Sequence, residues 1–410
     1  MIELVSGSAG NKPDLLHWNG VKGSVAPRIE YGDYTYEASE LDQSLYCATR
    51  LPKQCKDYGS SRELFRGIAD LFKHSFHFSD RESGLVACFC VSTWLTDRFS
   101  IAPSLVIFAP DQGLGIEVLR LLSCVCRRPL MLAEVTPGGL RSLPMHLSLT
   151  LLINEHRLRP NLQRLLRASS YRGLHLPGNR GGVVDLYGPK AILCESDVAN
   201  DKFGDGVIQI SLPPSSQWPA LDEQRRQEIA NDFQPRLLMY KLKNCAKVRE
   251  SRVDASQFTV ATRRLACALA ACFPGNPGLV RDTILLLRPQ DEEIRAQRFL
   301  DVDYVLVEIL WGEIHSREHK QVSVSNLTKD ANALLRSRGE FREHSAEEVG
   351  WKLKHLNIPK HADTSGRQVL LDHDTSRRVH RLAQTYDLAR SQHLRDSCAD
   401  CAAAESPVAE

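Results

Sequence analysis

At 410 residues, with 42% hydrophobic and 25% charged side chains, the chain has the composition of a soluble globular protein with a sizeable core, in about two or three domains. The formal net charge of +2 excludes a strongly basic coat but leaves room for a local basic patch. No apolar run is long enough to span a bilayer and no basic region precedes an apolar stretch at the N-terminus, so a cytoplasmic protein with no membrane partner is expected.

Residues 1–59 lack hydrophobic periodicity and read as an irregular leader. Two capping boxes follow. Ser60-Ser-Arg-Glu63 opens a helix carrying Leu64, Phe65, Ile68, Leu71 and Phe72, and Ser79-Asp-Arg-Glu82 opens one that is apolar nearly all round. From Ser104 the pattern alternates. Strands are expected at Leu105–Ala109, Pro129–Ala133, Leu147–Ile153, Val183–Tyr187, Lys190–Cys194 and Val207–Leu212, with helices at Ile116–Cys126, just after Thr136 and at Leu158–Ala168. Such alternation predicts an α/β fold, with a P-loop-type, mostly parallel sheet and helices on both faces, over residues 60–215. A breaker-rich stretch at 213–220 leads into a helical lid or linker over 216–318, interrupted at Pro274-Gly-Asn-Pro277. Residues 319–390 read as helix, turn, helix, hairpin, helix, the order of a winged helix-turn-helix. The helix opened by the capping box Ser345-Ala-Glu-Glu348 is its recognition helix. Residues 391–410 are polar, then Ala-rich, and are expected to be disordered.

The segment from Ser104 to Glu155 carries the chemistry. A strand, a Gly-containing loop Pro110-Asp-Gln-Gly-Leu-Gly115, a helix, and a later strand ending in Asn154-Glu155 are the skeleton of a P-loop nucleotide-binding core. A working loop needs a Lys on the phosphates and a Ser or Thr on Mg²⁺. After Gly113 and Gly115, those positions hold Ile116 and Glu117. Glu117 brings a carboxylate to the helix start, where it satisfies the helix dipole and repels a triphosphate. Tight MgATP binding is not expected. No cofactor is expected, ATP and Mg²⁺ entering only if the altered site still binds them. At the second strand Asn154 stands where a metal-holding Asp is required and Glu155 keeps the place of the water-polarising base; a polar pair that merely ends the strand remains the other reading.

From about Trp94 to Leu212 the chain resembles the AAA+-like ATPase domain of phage- and prophage-type primase–helicase proteins and their mobile-element relatives. The residues that carry the resemblance are Thr93-Trp94, Leu105–Gly115, Val135-Thr-Pro-Gly-Gly-Leu140, Leu151-Leu-Ile-Asn-Glu155, Leu165–Gly173, Tyr187–Ile192 and Asp205–Ile210, in the family's order. The resemblance implies an oligomeric, nucleic-acid-linked ATPase. It puts Lys190 at the sensor position of the fourth core strand, and Gly206 where an arginine finger follows the Asp. Phosphate lysine, metal hydroxyl and finger are then lost together, as in a retired ATPase. The C-terminal module resembles the winged helix that closes some of these proteins, through Ala331–Leu335, Gly339-Glu340, Val349–Leu356 and Arg378–Leu382.

If that module binds DNA, Lys352, Lys354 and His355 on the recognition helix and Arg367 on the wing are the contacts, helped by Lys360, Arg377, Arg378 and Arg381. Glu347 and Glu348 oppose DNA and leave a protein-binding winged helix open. The helical middle has a further basic face (Arg236, Lys241, Lys243, Lys247, Arg249 and Arg252), read as a solvated helix face in preference to a nucleic-acid contact.

The twelve cysteines are scattered, most of them in apolar segments, which fits buried thiols better than a disulfide framework. Cys398-Ala-Asp-Cys401 has CxxC spacing, with His393 near it, but no second pair. A tail without a site is preferred over zinc or redox chemistry. His315, His319, His344, His355, His361, His373 and His380 show no ligand spacing, so no metal site is expected. Three functions follow in order. The first is a catalytically degenerate AAA+-like protein with a DNA-binding winged helix, accessory to replication or maintenance of a phage or mobile element. The second is a DNA-linked ATPase or helicase completing its site in a homo-oligomer. The third is an adaptor for a replication partner protein with neither ATP nor DNA as ligand.

Overall fold

The computed structural model describes residues 1–7, 12–38, 42–155, 158–179, 181–194, 206–213, 221–316, 320–364, 366–388, 398 and 401. The chain divides into two compact units, Met1–Arg288 and Pro289–Glu410.

The first unit is an α/β fold around a five-stranded parallel sheet. Its strands are β6 (Ser104–Phe108), β7 (Pro129–Ala133), β8 (Thr150–Asn154), β11 (Lys190–Cys194) and β12 (Val207–Ser211), in the spatial order β12-β6-β11-β8-β7. Strand residues alternate between two buried faces, because side chains in a strand point up and down with period two. Leu105, Ile107, Leu152, Leu193 and Ile208 enter one core, and Val106, Leu151, Ile153, Ile192 and Val207 enter the other. The first core is closed by α2 (Ser61–Phe76), α3 (Asp80–Leu95), α4 (Gln112–Val125), α7 (Glu223–Asn244) and α8 (Val260–Ala271). The second is closed by α5 (Pro137–Arg141) and α6 (Pro160–Ala168). Both expected capping boxes are formed, at Ser60 with Glu63 and at Ser79 with Glu82. Helix α3 is buried from Ser83 to Leu95, as its all-round apolar sequence requires.

Residues Val183–Asp185 (β10) do not join this sheet. They pair instead with β9 (His175–Pro177) in a separate antiparallel ribbon. Residues 1–59 were expected to be an irregular leader. In the described part, β1 (Ile2–Val5), β2 (Asp14–Trp18) and β3 (Gly23–Ala26) form an antiparallel sheet, β4 (Arg28–Tyr31) and β5 (Tyr34–Glu37) a hairpin, and Gln43–Ala48 a short helix, α1. The segment is fastened by charge. Glu3, on β1, is buried among Arg127 (3.0 Å), Arg128 (2.8 Å) and Lys241 (2.6 Å), and Lys241 also pairs with Asp97 at 2.6 Å.

The helical stretch expected as one lid over 216–318 is shared by the two units. Helices α7 and α8 lie in the first, α9 (Pro277–Arg298) runs across the boundary, and α10 (Val302–Ser316) belongs to the second. The second unit continues with β13 (Gln321–Ser323), α11 (Val324–Ser337), α12 (Ala346–His355), β14 (His361–Asp363), β15 (Gly366–Leu370) and α13 (His373–Thr385). Strands β14 and β15 form an antiparallel hairpin, and β13 adds to its open edge, against β15. Val305, Leu306, Leu310, Leu327, Leu335, Val349, Leu353, Val369 and Val379 make one core from α10, α11, α12, β15 and α13. No helix among the described residues is long and apolar enough to cross a membrane.

Candidate functional site

In an open parallel sheet the loops beyond the carboxyl ends of the strands are the place for ligands. Here that edge is formed by Phe108, Ala133, Asn154 and Cys194 with the loops that follow them. Asn154, Glu155 and the β6–α4 connection are brought to this edge, as the sequence pattern requires.

The connection itself differs from a phosphate loop. Helix α4 begins at Gln112, so only Ala109, Pro110 and Asp111 separate it from β6, and Gly113 and Gly115 lie inside the helix. Asp111 is the N-cap, its Oδ1 accepting the Leu114 amide at 3.1 Å. The carboxylate that satisfies the helix start is therefore Asp111, not Glu117. Glu117 sits a turn further on and pairs with Arg120. Gly115, expected as the last glycine of the altered nucleotide loop, is closely packed: a Cβ there would run into Leu193 Cδ1 and lie 3.0 Å from Ala109 Cβ. Ile116 packs against the first core. The sequence did hold a signal for Asp111, since an Asp immediately before an apolar helical period is an N-cap pattern.

At the end of β8, the Glu155 carboxylate accepts the Val135 amide at 3.1 Å, bracing the loop after β7. Asn154 Oδ1 is buried and has no hydrogen-bond partner among the described residues. Cys194, at the end of β11, has its thiol pushed up to about 12 by burial and by the neighbouring Glu155 charge.

Lys190 is not part of this edge. It opens β11, opposite Ser104, four residues before the carboxyl end. At the rise of a strand that is about 13 Å away. Its amine is buried and donates to Ser170 Oγ at 2.9 Å, with Ser104 Oγ at 3.5 Å. Burial lowers its pKa to about 7. Gly206 adopts φ +84° just before β12, while Asp205 lies outside the described residues.

The expected recognition helix is α12, opened by a complete capping box at Ser345. Lys352 and Lys354 do not share a face on it. Two residues are about 200° apart on a helix, so they point to opposite sides. Lys352 turns to α10 and pairs with Asp303 at 3.2 Å. His355 also faces this side, lining a cavity with Asp301, Glu340 and Glu348. Lys354 turns the other way and stands 5.1 Å from the ring of Trp351, which is 58% exposed. Lys360 reaches back to the Gly350 carbonyl, and Arg367 lies beside the same spot. The amine of Lys360 is lowered by desolvation and by the charges of Arg367 and Lys354. The basic group is therefore Lys354, Lys360 and Arg367, with Trp351 beside Lys354 and with Lys360 and Arg367 beside Gly350, and Lys352 and His355 are outside it.

Two of the histidines read as lacking ligand spacing, His315 and His380, meet Cys398 and Cys401 in the second unit. No family profile matches the sequence, and no curated protein matches it. Among solved structures, the chain is similar to an apo A form of the NrS-1 C-terminal region, with 9% identity, 90% of this chain and 97% of that one covered, and a TM-score of 0.40. A second structure of that region, spanning its residues 305–718, aligns with 12% identity over 90% of this chain and 96% of that one, at a TM-score of 0.36.

Proposed function

We propose that this chain is a catalytically degenerate AAA+-like scaffold joined to a winged-helix DNA-binding module, an accessory to replication or maintenance of a phage or mobile element. The observation that carries the reading is the start of α4. Three residues leave no room for a phosphate-wrapping loop, and the amide at the helix start already bonds the protein's own Asp111. The order and spacing of the motifs from Trp94 to Leu212 support the AAA+-like part. In the second unit, the order helix, strand, helix, helix, hairpin supports the winged helix. The group Lys354, Lys360 and Arg367 with an exposed Trp supports nucleic acid as its ligand, the cations for phosphate and the indole for stacking. This protein works in the cytoplasm, without a cofactor, on DNA and beside replication proteins or further copies of itself.

One observation favours the second reading, an ATPase completed in an oligomer. Asn154 Oδ1 beside Glu155, without a partner among the described residues, is an acceptor that a metal-bound water would satisfy. Titration of the purified chain with MgATP and with DNA separates the two. The scaffold reading expects no saturable MgATP binding. It also expects a DNA affinity whose salt slope falls by about one on Lys354→Ala or Arg367→Ala and stays unchanged on Lys352→Ala. Saturable MgATP binding weakened by Asn154→Ala favours the ATPase reading instead. DNA binding that ignores Lys354 and Arg367 removes the winged-helix assignment.

A further inference from the structure

The four potential metal ligands of the second unit come from three separate places in the chain. His315 is at the end of α10, His380 is in the middle of α13, and Cys398 and Cys401 form the CxxC of the tail. One donor atom from each lies within 4.8 Å of the other three. His315 Nε2 is 3.3 Å from Cys401 Sγ, and His380 Nε2 is 3.3 Å from Cys398 Sγ. A tetrahedral zinc site with ordinary Zn–S and Zn–N bonds has ligand–ligand edges of about 3.3–3.8 Å, so these atoms need to move little.

The imidazoles are also held in the form a metal requires. His315 Nδ1 is 2.7 Å from the Trp311 carbonyl, and His380 Nδ1 is 2.7 Å from the Ser376 carbonyl. A carbonyl can only accept, so each Nδ1 carries the proton and each Nε2 keeps its lone pair toward the thiols. A histidine bonded through one nitrogen to a carbonyl, with the other nitrogen turned to the metal, is the usual outer-shell arrangement of a zinc ligand. His380 is 5% exposed and Cys401 8%, while His315 and Cys398 are half-buried, so two of the four donors are shielded from water.

We propose that His315, His380, Cys398 and Cys401 bind one zinc ion, which ties the C-terminal tail to α10 and α13. Two sulfurs and two nitrogens suit Zn²⁺ better than Mg²⁺ or Ca²⁺, which take oxygen ligands. Four protein ligands leave no open position, so the site is structural. On binding, both thiols release their protons to solvent, and the two thiolates neutralise the ion's charge. The CxxC pair is inconspicuous in the sequence because its partners lie far upstream, one in each of two helices.

The test is metal analysis of the full chain prepared with zinc under reducing conditions. About one zinc per chain is expected. The double variant Cys398→Ser, Cys401→Ser should lose it, and each single variant should weaken zinc binding by more than about a hundredfold, beyond the usual effect of an outer-shell change. Cobalt substitution of the unaltered chain gives a readout that needs no variant: thiolate-to-cobalt charge-transfer absorption with tetrahedral visible bands. Full zinc occupancy in the double variant, the absence of charge-transfer absorption, or a Cys398–Cys401 disulfide in the reduced preparation would each overturn the proposal.

Discussion

A lysine amine inside a sheet is costly when charged, and Lys190 is 1% exposed with two serine hydroxyls as its hydrogen-bond partners. Burial brings its pKa from 10.5 down to about 7. Below about pH 7 the amine is protonated in both folded and unfolded chains, and the burial cost is fully present. Between about 7 and 10.5 the unfolded chain binds the extra proton, so stability rises with pH. Replacing Lys190 by Met removes that dependence. Urea unfolding at about pH 6 and about pH 9 should show the original chain gaining roughly 3 kcal/mol over the Lys190→Met variant across that interval. An unchanged pH dependence in the variant would place the titrating group elsewhere. The same residue shows the limit of sequence reading. Lys190 opens a strand that its apolar run makes plain, and the first residue of a parallel strand lies away from the carboxyl-end loops; the sensor position implied by the resemblance, and not the strand pattern, put it at the site.

At the scale of elements, glycine was the misleading signal. Gly113 and Gly115 punctuate the sequence and read as a loop, yet α4 begins before both. Gly115 is there because α4 approaches β11 and the end of β6 too closely for a side chain, the nearest atoms being those of Leu193 and Ala109. Gly115→Ala therefore sets two effects against each other. The helix gains about 1 kcal/mol in propensity, and overpacking of a buried contact costs about 1–3 kcal/mol. Overpacking wins, because Leu193 is itself buried and cannot swing into water. The expected result is a lower urea midpoint with an unchanged slope. A raised midpoint would mean that the helix has room that its packing denies. The core strands were legible because each is a short apolar run, and all but the edge strand β7 are buried on both faces. The ribbon strands were not. Strand β5 is exposed along its whole length and β1 buries a glutamate, so neither shows an apolar alternation. The metal-type cluster escaped for another reason: only Cys398 and Cys401 share a short spacing, while His315 and His380 lie far upstream on different helices and meet them only in the packed second unit.

At the scale of the whole first unit, one buried carboxylate joins the N-terminal sheet to the α/β core. Burial alone would raise the pKa of Glu3, but Arg127, Lys241 and Arg128 outweigh it and hold the carboxyl far below the usual range. The group carries more cation than anion, three basic side chains against Glu3 and Asp97, and Arg128 is itself lowered to about 10, first by burial and then by Arg127. Removing the anion leaves buried cations with too little partner, which costs more than the pair contributes. Glu3→Gln should therefore destabilise the first unit by about 3–5 kcal/mol at neutral pH. A group with a depressed folded pKa contributes stability that is present above its unfolded pKa and lost as pH falls toward the folded value. The gap between original and variant should hold from neutrality down to about pH 5 and then shrink with further acid. Urea unfolding followed at several pH values reads this gap directly. A gap that persists undiminished in acid would mean that the Glu3→Gln amide fails for shape and not for charge, and a gap near zero at neutrality would mean that the N-terminal sheet is held by its apolar contacts alone.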